Sequence, residues 1–242
     1  SVVDFAGVTT STPVTEQPQA DAIDALVTDL RSELGTTVLI VDASVANYTS
    51  LLADLPSNVV VRVVEAHESG LAAITEALQG RSGVSSVQII SHGTPGSFTL
   101  GSDTVSNASL AQQASQLQGW ATHLSDSADI LLYGCDVAAG SEGRAFITEL
   151  ARLTGADIAA STDPTGSALQ GGNWELEATT GSIEAGLALS AAAMQGYGEL
   201  LAAPTVKDTA PADEPFSVGE NTPKVVGNNI TVTGTGEDSL TV

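Results

Sequence analysis

Two short apolar segments, each followed by a chemically reactive side chain, constrain this chain more than any other feature. The first covers residues 87–90 and leads into His92, and the second covers residues 129–132 and leads into Cys135. Apolar runs of this length between glycines and turn-forming residues are typical of buried strands in a parallel sheet. Ligands bind outside the carboxyl ends of such strands. The sequence therefore predicts that a histidine and a cysteine share one edge of a sheet.

The rest of the chain alternates predicted strands with predicted helices. Buried strands are also predicted at 38–41, 59–64 and 158–160, a hairpin at 98–105, an antiparallel edge strand at 174–178, and helices at 21–34, 45–55, 70–79, 110–124 and 141–153. Such alternation indicates a mostly parallel sheet covered on both faces, with right-handed crossovers. The predicted fold class is a three-layer α/β/α sandwich with an antiparallel edge strand. Residues 186–203 are ambiguous, with a last packing helix as one interpretation.

Changes in composition predict three parts of the chain. Residues 1–20 are rich in Thr, Ser, Pro and Gln and predict an N-terminal linker, and residues 21–203 form the predicted domain. Residues 204–242 predict a further linker and the start of a truncated, β-rich, cadherin-like module. Because the chain has neither an initial Met nor an apolar signal segment, we expect it to be part of a longer protein.

The charge of the chain restricts its partners. Seven Lys and Arg residues against 29 Asp and Glu residues give a formal net charge of -22. This field repels nucleic acid and anionic lipid headgroups, so we expect no nucleic-acid partner. No apolar run approaches about twenty residues, so we expect no membrane insertion. The acidic, lysine-poor composition favours a secreted or bacterial cell-surface location.

The chemistry of the predicted edge is that of a thiol hydrolase. Cys135 is the only cysteine, which excludes an intrachain disulfide and a cysteine-based zinc cluster. A free thiol has a pKa of about 8.5 and needs a base at neutral pH, and His92 is the available base. The amides of Gly93 and Cys135 could hold the oxyanion of an acyl-transfer intermediate. We expect no metal and no cofactor.

The order of the histidine and the cysteine along the chain distinguishes the hydrolase families that use a histidine base and a nucleophile. All three histidines, His67, His92 and His123, precede Cys135. In α/β-hydrolases the histidine follows the nucleophile, and papain-like enzymes have the cysteine before the histidine, so both families are disfavoured. His67 is interpreted as a solvated loop residue and His123 as a residue near a helix C-terminus, outside the site.

A strand ending in His-Gly, a spacer with a helix and a second strand ending in Cys resemble the caspase-like (clan CD) cysteine peptidases. Within that group, residues 38–184 are similar to the DUF4347 domain, through the segments 90–96, 132–138 and 172–176. That domain occurs near the start of very large bacterial surface proteins with cadherin-like or calcium-binding repeats. The resemblance implies a caspase-like fold for residues 21–203 and a place within a surface adhesin.

The resemblance also implies roles for individual residues. His92 is the implied general base and acid, Cys135 the nucleophile, and the amides of Gly93 and Cys135 the oxyanion hole. The family's specificity pocket uses residues that follow two strands, and those positions hold Asp42 and the Ser161 to Asp163 loop.

Two carboxylates at such a pocket select a basic side chain, so we expect cleavage after Arg or Lys. The implied substrate is a peptide or protein. The parent chain itself is one candidate substrate, with Lys207 and Lys224 as the nearest basic residues in the tail.

Three functions stay open at this point: a cysteine peptidase that processes its own parent protein, a catalytically inactive interaction or scaffold module of a surface adhesin, and an exported esterase or transacylase with the same dyad. A lone cysteine at a strand end is more often a small buried residue than a nucleophile. A Ser-His-Gly sequence alone can be a turn. The two features together at neighbouring strand ends favour catalysis.

Overall fold

A computed structural model describes residues 35–202, 224–226 and 230–232 of the chain. The predicted N-terminal linker, the helix predicted at 21–34 and Lys207 lie outside the described residues. The chain divides into two units, Ser1–Ala203 and Pro204–Val242.

The first unit contains nine strands and five helices among its described residues. In chain order the strands are β1 (Thr36–Asp42), β2 (Val59–Val64), β3 (Val84–Ile90), β4 (His92–Thr94), β5 (Ser97–Leu100), β6 (Asp103–Ser106), β7 (Leu124–Tyr133), β8 (Asp157–Ala160) and β9 (Ala178–Thr179). The helices are α1 (Tyr48–Leu51), α2 (Gly70–Leu78), α3 (Leu110–Trp120), α4 (Gly140–Thr154) and α5 (Ala191–Gly196), and a 3₁₀ helix covers Ala168–Gln170.

Six strands form the central sheet in the order β2-β1-β3-β7-β8-β9. All neighbouring pairs are parallel except β8 and β9, which are antiparallel. This confirms the mostly parallel sheet and its antiparallel edge strand. The edge strand is shorter than predicted and begins later, at Ala178, because Trp174 instead packs between the rings of Tyr133 and Tyr197.

Alternate side chains of β1 enter two separate apolar layers. Val38 and Ile40 pack with α2, α3 and α4, whereas Leu39 and Val41 pack with α1 and residues of the α5 region. All four side chains are fully buried. A central strand that is apolar at every position is expected where helices cover both faces of a sheet. The layers are those of the predicted α/β/α sandwich.

The helices predicted at 70–79, 110–124 and 141–153 are right in position and less accurate at their ends. Helix α4 stops at Gly155, whose φ of 73° is the left-handed conformation expected after a helix. Helix α3 ends at Trp120, and Leu124 already begins β7. The helix predicted at 45–55 is a single turn, because Ser44 hydrogen-bonds Asp42 rather than capping a helix.

A small antiparallel sheet of β4, β5 and β6 follows β3 directly. The β5–β6 hairpin was predicted, and β4 adds a third strand that begins at His92. His92 therefore lies at the junction between the two sheets.

In the part of the chain that the structure describes, no helix is long and apolar enough to cross a bilayer. In the second unit, β10 (Lys224–Val226) and β11 (Ile230–Val232) form an antiparallel pair.

Candidate functional site

The strands that lead to His92 and Cys135 are neighbours in the central sheet. Strands β3 and β7 pair in parallel, with Ile90 opposite Tyr133 at their carboxyl ends. One residue further, the amide of Ser91 donates to the carbonyl oxygen of Tyr133 at 3.0 Å. The predicted adjacency of the two strands is confirmed, and both reactive side chains follow the same edge of the sheet.

The backbone at Gly93 packs directly against the backbone at Cys135. A Cβ atom at Gly93 would lie 2.6 Å from the carbonyl oxygen of Cys135 and 2.5 Å from the Cγ2 atom of Val137. Both distances are far below van der Waals contact, so only glycine fits here. The glycine after the histidine thus allows the two strand ends to approach each other closely.

The thiol of Cys135 is almost completely enclosed. The residue is 3 % exposed, and its Sγ atom accepts a hydrogen bond from the amide of Thr165 at 3.3 Å. Burial raises the pKa of the thiol, and the charge of Asp136 raises this pKa further, while the amides of Thr165 and Leu201 act in the opposite direction. The thiol is therefore protonated at neutral pH in this conformation.

His92 is also buried, with 8 % of its surface exposed. Its Nδ1 atom lies 3.3 Å from the carbonyl oxygen of Leu201. Because a carbonyl can only accept, this contact assigns the ring proton to Nδ1. The other ring nitrogen, Nε2, is buried without a hydrogen-bond partner. In the neutral imidazole Nε2 is then the nitrogen with a free lone pair.

His92 and Cys135 do not hydrogen-bond each other, although both side chains are among the described residues. They are connected through Leu201, whose carbonyl oxygen accepts from His92 and whose amide lowers the pKa of the Cys135 thiol. Catalytic hydrogen bonds are often absent before substrate binds, so the separation by itself does not exclude a dyad.

Asp42 lies at the carboxyl end of β1, which is the neighbour of β3. Its carboxylate is 2 % exposed and accepts three hydrogen bonds, from the amide and hydroxyl of Ser44 and from the amide of Gly101. These contacts hold the turn after β1 against the β5–β6 hairpin. The carboxylate is directed into the protein in this conformation.

Ser161 and Asp163 follow β8, the neighbour of β7 on the other side. The hydroxyl of Ser161 donates to the carbonyl oxygen of Asp163 at 2.8 Å, and the Asp163 carboxylate accepts from the side-chain amide of Asn173 at 3.0 Å. The amide of Asp136 donates to the Asp163 carbonyl oxygen. The predicted pocket residues thus flank the His92 and Cys135 strands at the same sheet edge, and their role in binding substrate stays a prediction.

Residues 38–201, which include every strand and loop described above, match the family described as Domain of unknown function (DUF4347). The chain belongs to the DUF4347 family. No curated protein and no solved structure matches the chain.

In this DUF4347 domain two further segments cover the histidine and the cysteine. The amide of Leu201 donates to the carbonyl oxygen of Thr165 at 2.9 Å, and the amide of Ser167 donates to the carbonyl oxygen of Glu199 at 2.8 Å. Gly166 pairs with Leu200 in an antiparallel bridge. The two segments, residues 165–167 and 199–202, therefore form a short ladder over the site.

The covering ladder is the part of the DUF4347 site that the sequence did not reveal. Leu200 and Leu201 fitted a last packing helix, but helix α5 ends at Gly196 and the two leucines lie beyond it. Gly166 was the available signal, since its φ of 126° is rarely adopted by other residues, and a side chain there would collide with the Glu199 carbonyl. The partner segments are more than thirty residues apart, so no local pattern joins them.

Two other histidines and one cleft contribute further polar groups to the DUF4347 domain. His67 is exposed, and the Nδ1 atom of His123 contacts the carbonyl oxygen of Arg81 at 2.9 Å. A cleft of about 560 Å³ is lined by residues including Arg144, Thr162 and Glu177, and contains neither His92 nor Cys135.

Proposed function

We propose that this domain is a cysteine peptidase of the caspase-like type, with Cys135 as the nucleophile and His92 as the general base and acid. The observation that carries the proposal is that both residues follow adjacent parallel strands at one sheet edge and contact the same residue, Leu201. The histidine precedes the cysteine in the chain, and this order supports the caspase-like clan over α/β-hydrolases and papain-like enzymes.

The available groups suffice for peptide hydrolysis. The Nε2 atom of His92 accepts the thiol proton of Cys135, and the thiolate attacks the substrate carbonyl carbon, with the oxyanion held by the amides of Gly93 and Cys135. The C–N bond breaks as His92 gives the proton to the leaving amine. Water then hydrolyses the thioester, which releases the acid and restores the thiol.

The described conformation is the resting form of the proposed enzyme. A protonated thiol that is 3 % exposed meets an external substrate only during openings of the covering residues, so the cleavage of external peptides should be slow. Movement of residues 165–167 or 199–202 would expose the sulfur and lower its pKa by returning water to it. Activity toward external substrates therefore depends on displacement of this ladder.

A catalytically inactive scaffold module is the second candidate, and the burial of Cys135 favours it. The sulfur belongs to an apolar cluster with Leu131, Tyr133 and Leu201, which is how a purely structural cysteine packs. Such a module would fold with the same contacts and would tolerate Cys135→Ala without loss of function.

Two finer features belong to the same proposal. Cleavage after a basic residue would require the Asp42 carboxylate to exchange hydrogen bonds that it makes within the protein. Equal cleavage of Arg- and Ala-containing peptides would count against this specificity.

The net charge of -22 supports a place outside the cell, as part of a secreted or surface protein. Fractionation of the source cells would test this location.

Incubation of the purified chain with a mixed peptide library, followed by mass spectrometry, tests the proposal. Wild-type protein should cut peptides, Cys135→Ala should be inactive, and His92→Ala should be slower by about 10²- to 10⁴-fold. His67→Ala is the matched histidine control and should retain full activity, since His67 is exposed. Equal cleavage by the wild-type and Cys135→Ala proteins would leave the scaffold module as the function.

A further inference from the structure

Residues 199–202 lie across the candidate site as a chain segment held on both sides. On one side the segment pairs with residues 165–167, and on the other Ala202 forms a parallel bridge with Gly93. Peptide ligands bind in this way when main-chain hydrogen bonds add them to an exposed strand edge. The position between residues 165–167 and Gly93 is thus occupied by a piece of the same chain.

Leu201 occupies the centre of this arrangement. Its side chain is fully buried, while the next residue, Ala202, is exposed. Its carbonyl oxygen accepts from Nδ1 of His92, and its amide donates to the carbonyl oxygen of Thr165, whose own amide donates to the Cys135 sulfur. The Leu201–Ala202 peptide bond thus begins at the carbonyl that His92 contacts, and Leu201 packs in the same apolar cluster as Cys135.

We infer that residues 199–202 are the domain's own substrate and that Cys135 cleaves the Leu201–Ala202 bond. This inference rests on the proposed function and names its substrate class: an extended segment with a buried leucine before the cut and a small residue after it. It differs from cleavage after a basic residue, because no Lys or Arg lies in residues 199–202.

The step is a balanced hydrolysis. The Cys135 thiol loses its proton to His92 and forms an S–C bond with the Leu201 carbonyl carbon. The Leu201–Ala202 C–N bond breaks, and His92 transfers the proton to the nitrogen of Ala202. One water molecule then cleaves the thioester, so the products are a Leu201 carboxylate, a free amine at Ala202 and the original thiol.

Intact-mass measurement of the full chain over time, with sequencing of new N-termini, tests the inference. The wild-type chain should yield a fragment that begins at Ala202, at a rate independent of protein concentration because the reaction is intramolecular. Cys135→Ala should yield none, and circular dichroism should show that it folds.

Ala202→Pro supplies a sharper variant. Proline removes the N–H and replaces a secondary by a tertiary amide at the bond; Ala202 is exposed but bridges Gly93, so circular dichroism should accompany this variant. This variant should fold and resist cleavage, whereas Ala202→Gly should be cut like the wild type. Cleavage of Ala202→Pro at an unchanged rate would overturn the inference.

The outcomes separate this inference from the proposed function. If the chain cuts library peptides in a Cys135-dependent way and the Leu201–Ala202 bond stays intact, the inference is wrong and the peptidase proposal stands. If neither the library nor the chain is cut by a folded protein, both fall.

A second, independent feature lies where β8 begins, beside β7 and away from the carboxyl ends of the two strands. Asp129, Asp157 and Glu184 each place a carboxylate oxygen within 4.8 Å of the others. Asp129 is 1 % exposed, and its Oδ2 atom accepts from the amides of Glu184 and Ala185, but its Oδ1 atom is buried without a partner. An unpaired buried carboxylate oxygen is costly unless a proton or a cation satisfies it.

We propose that these three carboxylates bind a divalent cation, with calcium as the best fit. Oxygen ligands of this kind, completed by water, suit the flexible coordination of Ca²⁺. A chain with a net charge of -22 also attracts cations. The site would tie the loop at Glu184 to the central strand β7.

Thermal unfolding after chelation, with and without CaCl₂, tests the cation site. Calcium should raise the melting temperature of the wild type and have little effect on Asp157→Asn. Asp126→Asn removes one exposed carboxylate from the same strand and should respond like the wild type. Equal calcium responses in all three proteins, or no response in any, would overturn the proposal and leave a proton on Asp129 as the explanation.

Discussion

At the level of single residues, the surroundings of one sulfur atom, that of Cys135, set its reactivity. Cys135 combines near-complete burial with a hydrogen bond from the amide of Thr165, and the nearby amide of Leu201 also lowers the pKa of the thiol. Burial favours the neutral thiol and the amides favour the thiolate, and burial is the larger effect. The resting protein thus carries a nucleophile that stays inactive while the covering ladder is in place.

Alkylation by iodoacetamide should report this state of Cys135. Because the thiolate is the reacting species and the folded protein raises the thiol pKa, the native chain should react more slowly than the urea-unfolded chain. Its rate should also continue to rise at pH values where the unfolded thiol has already levelled off. Equal rates and equal pH profiles in the two states would show that the sulfur is open to solvent.

Gly93 is a second residue whose surroundings fix its identity. In Gly93→Ala the new Cβ would meet the backbone at Cys135, so the free energy of unfolding should fall by about 1–3 kcal/mol. Gly119 in α3 has open space around it, and Gly119→Ala should be stabilising by roughly 0.4–1 kcal/mol. Urea unfolding of both variants checks the contrast, and a neutral Gly93→Ala would contradict the close approach of the two strand ends.

At the scale of elements, helices α2 and α3 are joined by one hydroxyl. Thr75 Oγ1 accepts from Nε1 of Trp120 and from the side-chain amide of Gln116, each at 3.0 Å, and donates to the carbonyl oxygen of Leu71. Trp120 is 2 % exposed, so its N–H has no access to water. One side chain therefore supplies the polar contact between two helices that otherwise meet through apolar residues.

Thr75→Val should lower the free energy of unfolding by about 1–3 kcal/mol, because it leaves the buried Trp120 N–H unpaired. Thr75→Ser keeps the hydroxyl and should cost less, about 0.8 kcal/mol for the lost methyl group. Denaturant titrations in which Thr75→Ser is less stable than Thr75→Val would show that the hydroxyl does not stabilise the contact between the two helices.

The sequence predicts the elements of this fold where each element is determined locally. Strand β2 has the predicted limits because Val59 to Val64 consists of valines, which favour strands, with Arg62 as the one exception. Helix α3 is shorter than predicted, because Leu124 continues the helical spacing and also fits the start of β7. Apolar spacing alone cannot distinguish the two uses of this leucine.

The candidate site was predictable to the same extent. The pairing of β3 with β7, and hence the common edge of His92 and Cys135, followed from two apolar runs. The cover over them did not, because Leu201 contacts Thr165 and His92 from distant parts of the chain. The burial of Cys135 therefore required the structure.

At the scale of the whole molecule, charge opposes the compact state. A net charge of -22 on 242 residues is a strong self-repulsion, which folding concentrates in a smaller volume. Two side-chain ion pairs of Arg62, with Glu68 and Glu76, and one between Arg152 and Glu149 are present among the described residues. Since only seven basic residues exist, ion pairing can neutralise little of the excess.

Salt should therefore stabilise the protein. The melting temperature in a chelator-containing buffer should rise between low and moderate NaCl concentration, because the Debye length falls and the repulsion between carboxylates is screened. The chelator separates this general effect from binding at the Asp129 carboxylates. A melting temperature that falls with added salt would indicate that specific ion pairs outweigh the net repulsion.

Covalent labelling with a peptidyl acyloxymethyl ketone shows whether His92 activates Cys135. The probe should carry Glu-Leu-Leu, the residues before the inferred cut, and mass spectrometry should locate it on Cys135 in the wild-type and His67→Ala proteins. His92→Ala should fold and remain unlabelled, although iodoacetamide still modifies its unfolded thiol. Labelling of the wild type should be slow, because it requires opening of the covering ladder; equal labelling of His92→Ala and wild type, or no labelling of the wild type on long incubation, would show that His92 does not activate Cys135.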